Sequence, residues 1–544
     1  MKKGFTLIEL LAVIVILAII ALIATPMILG VIDSAKKGAA ESSTYGYIDA
    51  IEKSDLQDMI DTGNYQTKKD GTYDLDTIGT VKYKGKQPAQ ICVIMKDGSV
   101  VSGQFKFDNY VVEYNGNKAK VNSTKADVNC EPTTEKEVAN APRLSEGMTP
   151  IKWVNGVETS TTADDPEWYD YSNQLWANVK TKDGSYWVWI PRYAYKITNG
   201  YHSSTAGSID VKFLQGISDT TVDGTTIETN GYLAGTKDTS MYYFTHPAFQ
   251  NDINQTGFWV AKFEPTAVEG VANGYISGNA CPIAGDNVST KTIKVVPTVA
   301  SWRCVNNKSS YNATLAMKTN DTYGWNSNSV DTHIATNLEW GAIYYLTLST
   351  YGANTNEVYI NNSQTYTTGC AGNTTSEASY DGCQNAYDTI NGVKASTTWN
   401  ITGIYDMSGG AWDRTMGVYN DLPRDSGFTV DELKNIPSKH ITRYKTESLN
   451  MLNGIGMDYD ETAYGDGIYE TSSGASRWNG TFWSGVGQGG WNTEHSYLSY
   501  ATSPWFVRGS VFTHTSFAGI GGFGQSGGGS FSDSSFRPIV SVIK

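Results

Sequence analysis

Met1-Lys2-Lys3-Gly4-Phe5-Thr6-Leu7-Ile8-Glu9-Leu10 opens the chain, and no charged residue occurs from Leu10 to Ile32. As a helix that apolar run spans ~35 Å at ~1.5 Å per residue, enough to cross a bilayer's hydrocarbon core. One acid, Glu9, stands at its start. A carboxylate in hydrocarbon costs roughly 3 kcal/mol on insertion scales, so Glu9 calls for an opposite charge beside it. A cleaved secretory signal fits less well, because the run is long and no small-residue site with a polar break follows. A plain signal anchor is the simpler alternative. Beyond the run, Ile32, Ala35, Ala39, Ser43, Tyr47 and Ile51 recur at three- and four-residue steps, with Asp33, Lys37, Glu41, Asp49 and Glu52 on other faces. This predicts an amphipathic continuation that carries a small domain on one side and ends at Asp61-Thr62-Gly63-Asn64.

Residues 61–130 read as a small antiparallel sheet. Asp97-Gly98 separates Ile91–Met95 from Val100–Phe107, and Asn115-Gly116 follows Tyr110–Tyr114. Both dipeptides are strong hairpin signals. Residues 131–148 carry charge and proline without periodicity and read as a linker or an ordered strap. The fifteen tryptophans all lie after it, from Trp153 to Trp505. In residues 149–544, short apolar runs such as Trp187–Tyr193 and Gly257–Glu264 alternate with Gly, Asn, Ser and Asp, and Asn337–Leu348 reads as a capped helix. The fold class is α+β: a long helix with a small sheet, then a loop-rich mixed domain held by aromatic packing.

The 544 residues are enough for two to four domains. A net charge of -14 excludes nucleic acid as a partner, because nothing basic offsets phosphate repulsion. Six cysteines, Cys92, Cys130, Cys281, Cys304, Cys370 and Cys383, contain no C-x-x-C pair. An even count beyond a membrane segment indicates disulfides in an oxidising compartment. Six buried free thiols are the alternative.

Lys2 to Leu11 closely resembles the type IV prepilin signal. The resemblance implies cleavage by a prepilin peptidase after Gly4 and methylation of the new N-terminus, Phe5. It also implies that Glu9 pairs with the N-terminal ammonium of a neighbouring pilin subunit during filament assembly. Pro26 stands where such helices often bend. The implied organisation is a leader (1–4), a pilin helix (5–60, transmembrane at about 7–30), a pilin-like β domain (61–130) with Cys92 and Cys130 stapling its edge, the linker (131–148) and the C-terminal domain (149–544). The bulk lies outside a single-pass membrane anchor, at the pilus or cell surface.

Three segments of the C-terminal domain resemble the formylglycine-generating-enzyme (sulfatase-modifying-factor) branch of the C-type-lectin fold. They are Gly257–Glu264, Asn400–Asp413, and Arg508-Gly509-Ser510 taken with Phe536-Arg537-Pro538. The sequence departs from that family at Gly410, Asp413 and Arg414. The resemblance implies a structural calcium site with side-chain oxygens from Asp406 and Asp413 and carbonyls from Gly409 and Ala411. Alternatively, these acids turn the chain without metal. No other cofactor is expected.

The family's chemistry needs cysteines near the C-terminus, and here none follows Cys383, so no enzyme activity is expected. Gly524-Gln525-Ser526-Gly527-Gly528 matches a nucleophile-elbow pattern but lies in a glycine-serine run. Within Trp505–Phe536, Val511, Phe512, His514, Phe517, Phe523 and Phe531 stand in a Gly/Ser background and read as an exposed recognition surface. A core-wrapping loop is the alternative. Residues 508–538 also resemble the variable segment of retroelement-diversified lectin-fold proteins. The expected protein is a minor type IV pilin or pilus-associated adhesin that displays a lectin-fold domain to a protein or glycan ligand. The alternatives are a secretion-system pseudopilin and a surface enzyme on the same fold.

Overall fold

The computed structural model describes residues 11, 15–16 and 32–54, most of 71–128 and most of 139–543, with gaps at 222–226, 228–238, 251–254, 272–280, 282–286, 445–463, 479–482 and 485–486. It is a mixed α+β structure with several small sheets and few helices. The chain divides into two compact units, Met1–Thr134 and Glu135–Lys544.

In the first unit, helix α1 (residues 32–54) lies on a five-stranded antiparallel meander. Its strands are β1 (Gly71–Tyr73), β2 (Gln90–Lys96), β3 (Ser99–Phe107), β4 (Tyr110–Tyr114) and β5 (Ala119–Asn122). Ala40, Tyr47, Ile48 and Ile51 pack against Ile91, Val93, Phe105 and Val112. The buried stripe is therefore 40, 44, 47, 48 and 51, whereas Ile32, Ala35 and Ala39 are exposed and Ser43 is half-buried. The sheet covers mainly the last four turns of the helix, so the first half of the predicted stripe is exposed among the described residues. Helix side chains also meet the sheet's backbone donors. Glu41 Oε1 accepts from Val121 N (2.9 Å), Tyr45 Oη from Ala119 N (2.8 Å), and Glu52 Oε1 from Val100 N (2.9 Å). These bonds satisfy N–H groups of β5 and β3, which fixes the register of the sheet on the helix.

Among the described residues, no helix is long and apolar enough to cross a membrane. The expected span at about 7–30 and the helix end at 61–64 lie outside them, apart from the exposed helical residues Leu11, Val15 and Ile16.

The second unit is built on a seven-stranded antiparallel sheet. Its order is Val330–Ile334, Pro538–Val542, Gly257–Ala261, Tyr186–Pro191, Asn178–Lys180, Thr149–Val154 and Val157–Ser160. The closing strand of the chain thus sits between two strands that precede it by more than a hundred residues. A second sheet joins Thr442–Tyr444, Trp412–Tyr419, Trp505–Arg508 and Phe523–Ser526, with Ser534–Phe536 pairing Trp412–Tyr419. Helix α2 (Asn307–Met317) and helix α3 (Asn337–Thr347) pack on these sheets. The helix predicted at 337–348 is α3. Thr336 and Glu339 close it with a capping box that satisfies two orphan N–H groups.

One core runs through the unit, and Trp176, Trp187, Trp189, Trp259, Trp302, Trp340, Trp491 and Trp505 are fully buried in the chain. Their indole N–H groups mostly reach backbone carbonyls, as Trp340 Nε1 does at Ile520 O (2.8 Å). Residues 139–148 belong to this unit: Ala139 and Met148 are in its core, and Trp189 Nε1 donates to Asn140 O. Disulfides join Cys281 to Cys304 and Cys370 to Cys383. Cys92 is also disulfide-bonded, and Cys130 lies outside the described residues.

Candidate functional site

The three segments singled out in the sequence meet at one point of the second unit. Arg537 is fully buried, and its Nε and Nη2 donate to Asp413 Oδ2 at 2.9 and 2.7 Å. Its remaining N–H groups reach Ala261 O (3.0 Å) and Asp406 O (3.1 Å). Glu264 Oε1 accepts from Ala411 N (2.9 Å), and Asp406 accepts from Glu264 N (3.2 Å), Asn361 Nδ2 (2.8 Å) and Gly369 N (2.8 Å). Gly409, at φ 74°, donates to Gly509 O. Burial raises the Glu264 carboxyl well above its ordinary value, with repulsion from Asp413 and Asp406 next, and it pushes Asp413 up to about 6.

Asp406, Gly409, Ala411 and Asp413 do not fit calcium. A calcium ion takes converging oxygens with free lone pairs. Here Asp406 accepts from three N–H donors, and the cation beside Asp413 is the Arg537 guanidinium; of the side-chain oxygens of these two acids only Asp413 Oδ1 has no partner. The expectation read the acids in isolation and could not place Arg537 against them. The locus is a clamp that ties the end of the chain to both sheets.

Arg508 closes the other end of the terminal stretch. It is buried, its Nη1 donates to Asp466 O (2.7 Å), and Gly509 N donates to Gly522 O (3.0 Å). The residues between are not uniformly exposed. Val511, Phe512 and Phe523 are buried, His514 and Phe531 are half-buried, and only Phe517 of the six is exposed, at 38%. Phe512 packs edge-on against Tyr366, and Phe523 belongs to a small core with Phe506 and Leu498. An exposed apolar surface is therefore wrong for Val511, Phe512 and Phe523. The glycines were read as flexibility, but they make room for close packing. A side chain on Gly519 or Gly521 would occupy the space of the Glu494 carboxyl. Gly524 to Ser526 lies on the strand Phe523–Ser526, and no helix follows it among the described residues.

What the stretch does contribute to is a cavity of about 120 Å³. Gly519 and Ile520 line it together with Tyr344 and Thr347 of α3, the turn Asn354–Val358, and Trp491, Asn492 and Glu494. Glu494 is 4% exposed; its Oε2 accepts no hydrogen bond of good geometry, although the Gly521 N–H stands near the carboxyl. Burial, then repulsion from Glu357, pushes its carboxyl up to about 8; Glu357 itself is raised by burial. Asn354, Asn492 and Thr493 around the opening hold φ of 58°, 56° and 63°. Such conformations cost about 1–3 kcal/mol each when the residue is not glycine, and they cluster where a site is being shaped. The cavity thus offers an aromatic wall, exposed amides and a buried proton-bearing carboxyl. Glu494, Glu357 and Trp491 carried no local signal, because their meeting depends on contacts across more than a hundred residues.

Gly4, Phe5 and Glu9 lie outside the described residues. Residues 1–25 match the prokaryotic N-terminal methylation motif. That match supports a type IV pilin-like prepilin signal, and with it processing by a prepilin peptidase, assembly with other pilin subunits and a place at the membrane or pilus surface. No curated protein matches the chain.

Proposed function

We propose that this protein is a minor pilin or pilus-associated adhesin, in which the second unit is a lectin-like binding domain. The reading rests on the methylation motif for display and on the Glu494 cavity for binding. The carrying observation is a buried carboxyl, one oxygen of which accepts no hydrogen bond of good geometry, in a cavity whose rim is amide-rich and partly built from the terminal stretch. The cavity suits one sugar ring or one amine-bearing side chain, held by hydroxyl or ammonium contacts to Glu494 and Glu357 and by stacking on an aromatic wall.

The test is an array of glycans and amine-bearing peptides probed with the full chain in detergent, wild type against Glu494→Gln and Asn356→Ala. Specific binding by the wild type that falls in both variants supports the reading. Binding that is indifferent to both places the ligand elsewhere. A pilus preparation in which the protein is absent while secretion depends on it favours the pseudopilin alternative.

A further inference from the structure

The edge strand Val330–Ile334 carries Asp331 and His333 two residues apart, hence on one face of the sheet. The short 3-10 turn Ser438–His440 brings His440 onto that face from far along the chain. All three residues are buried. His440 Nε2 lies 2.8 Å from Asp331 Oδ2, and His333 Nδ1 lies 3.5 Å from the same oxygen. Among the described residues this is the one group of three such side chains whose ligand atoms lie close together, within 4.8 Å of one another.

The far side of each imidazole is already held. His333 Nε2 meets Glu339 Oε1 at 2.9 Å, and Glu339 is itself fixed as the capping-box residue of α3. His440 Nδ1 meets the Tyr311 hydroxyl at 2.9 Å. The rings stack 4.4 Å apart, 19° from parallel. The nitrogens that remain, His333 Nδ1 and His440 Nε2, both turn toward Asp331, and His333 Nδ1 has no hydrogen-bond partner. A cation already stands here: Lys439 Nζ is 3.0 Å from Asp331 Oδ2, and its side chain is 19% exposed, so it has a path to solvent.

We propose that Asp331, His333 and His440 bind a divalent transition-metal ion of the zinc class, with Glu339 and Tyr311 orienting the two imidazoles. Ligands ~2.1 Å from a tetrahedral zinc stand ~3.4 Å apart; the two separations to Asp331 bracket that value, the two imidazole nitrogens lie within 4.8 Å of each other, and the stacked rings splay to bring both lone pairs onto one ion. Two imidazole nitrogens and one carboxylate suit zinc, cobalt or nickel, whereas calcium and magnesium take oxygen. An imidazole whose second nitrogen meets a carboxylate is the usual outer shell of such sites. Lys439 swings out as the ion enters, and water completes the coordination. Because its three ligands are buried and none of them lines the Glu494 cavity, its role is to lock the 438–440 turn onto the sheet.

The test uses the full chain in detergent, stripped with a chelator and titrated with Zn²⁺ and, for its visible spectrum, Co²⁺. The expected result is a single tightly held ion per chain, with an intense Co²⁺ band that marks low coordination number. Asp331→Asn and His440→Gln should each abolish binding while the chain still melts cooperatively. Glu339→Gln keeps the capping box and should weaken binding ~10–100-fold. Lys439→Gln should tighten it, because a competing cation is gone. His495→Gln, in a different histidine pair, should leave it unchanged. A cooperatively melting wild-type chain that takes up no stoichiometric zinc overturns the proposal, and so does zinc retained in both Asp331→Asn and His440→Gln. If those two variants unfold, an unchanged affinity in both Glu339→Gln and Lys439→Gln overturns it instead.

Discussion

Glu494 is a carboxyl whose buried environment no neighbouring residue in the sequence announces. Burial, with Glu357 nearby, lifts its carboxyl from 4.5 to about 8. The folded chain therefore holds this proton more tightly than the unfolded chain. The associated stabilisation is complete below the unfolded value and is lost as pH rises through about 8. Wild-type protein should lose on the order of a few kcal/mol between those limits from this group alone. Glu494→Gln should flatten that part of the profile and gain relative stability at the alkaline end, as read from thermal melts across the range. A parallel slope in both proteins would mean that the carboxyl is not held protonated. The phenylalanines of the terminal stretch give a second contrast. Phe512→Ser and Phe523→Ser should each cost ~3–5 kcal/mol, because both side chains are buried. Phe517→Ser should stay within about 0.5 kcal/mol. Equal, small shifts at all three would restore the exposed surface read from the sequence.

Among the elements, what was legible depended on whether the signal was local. The antiparallel pairs Gln90–Lys96 with Ser99–Phe107 and Tyr110–Tyr114 with Ala119–Asn122, and the helix after Thr336, were visible because turn and cap signals are carried by adjacent residues; Asp97, Gly98 and Asn115 themselves lie outside the described residues. The terminal stretch was misjudged because its packing is not periodic. Its 3-10 segment Phe512–Phe517 and its closed base at Gly509 and Gly522 follow from contacts with distant strands. Arg537, Asp406 and Asp413 were noticed as motif residues, but their shared task as a clamp needs three segments brought together in space. Arg537→Met tests that task. It leaves Asp413 as a buried carboxylate without its cation, which costs ~3–5 kcal/mol in a broken buried pair. The double change Arg537→Met with Asp413→Leu should recover much of the loss, because an apolar replacement of a whole buried pair is often neutral. Melting of the two variants side by side reads both numbers. No recovery would show that the Arg537 bonds to Ala261 O and Asp406 O matter more than the charge pair.

At the scale of the whole molecule, the first ten residues determine where everything else is displayed. The methylation motif covers residues 1–25, and each of the two units downstream has its own apolar core. The sheet of the first unit buries mainly the later turns of α1 and leaves Ile32 at 43% exposure. An apolar helix face left exposed among the described residues is one that packing against neighbouring helices would use. The motif implies both processing and assembly with other pilin subunits, and two variants separate them. Gly4→Ala should leave the leader attached, and Glu9→Val should be cleaved normally yet enter filaments poorly, because the pilin resemblance pairs the Glu9 carboxylate with a neighbour's ammonium. N-terminal mass analysis of the membrane-extracted protein and of sheared filaments separates the two defects. A mature chain that begins at Met1, or past residue 20, would refute cleavage at Gly4. Normal filament incorporation of the Glu9→Val chain would show that assembly proceeds without that charge pair.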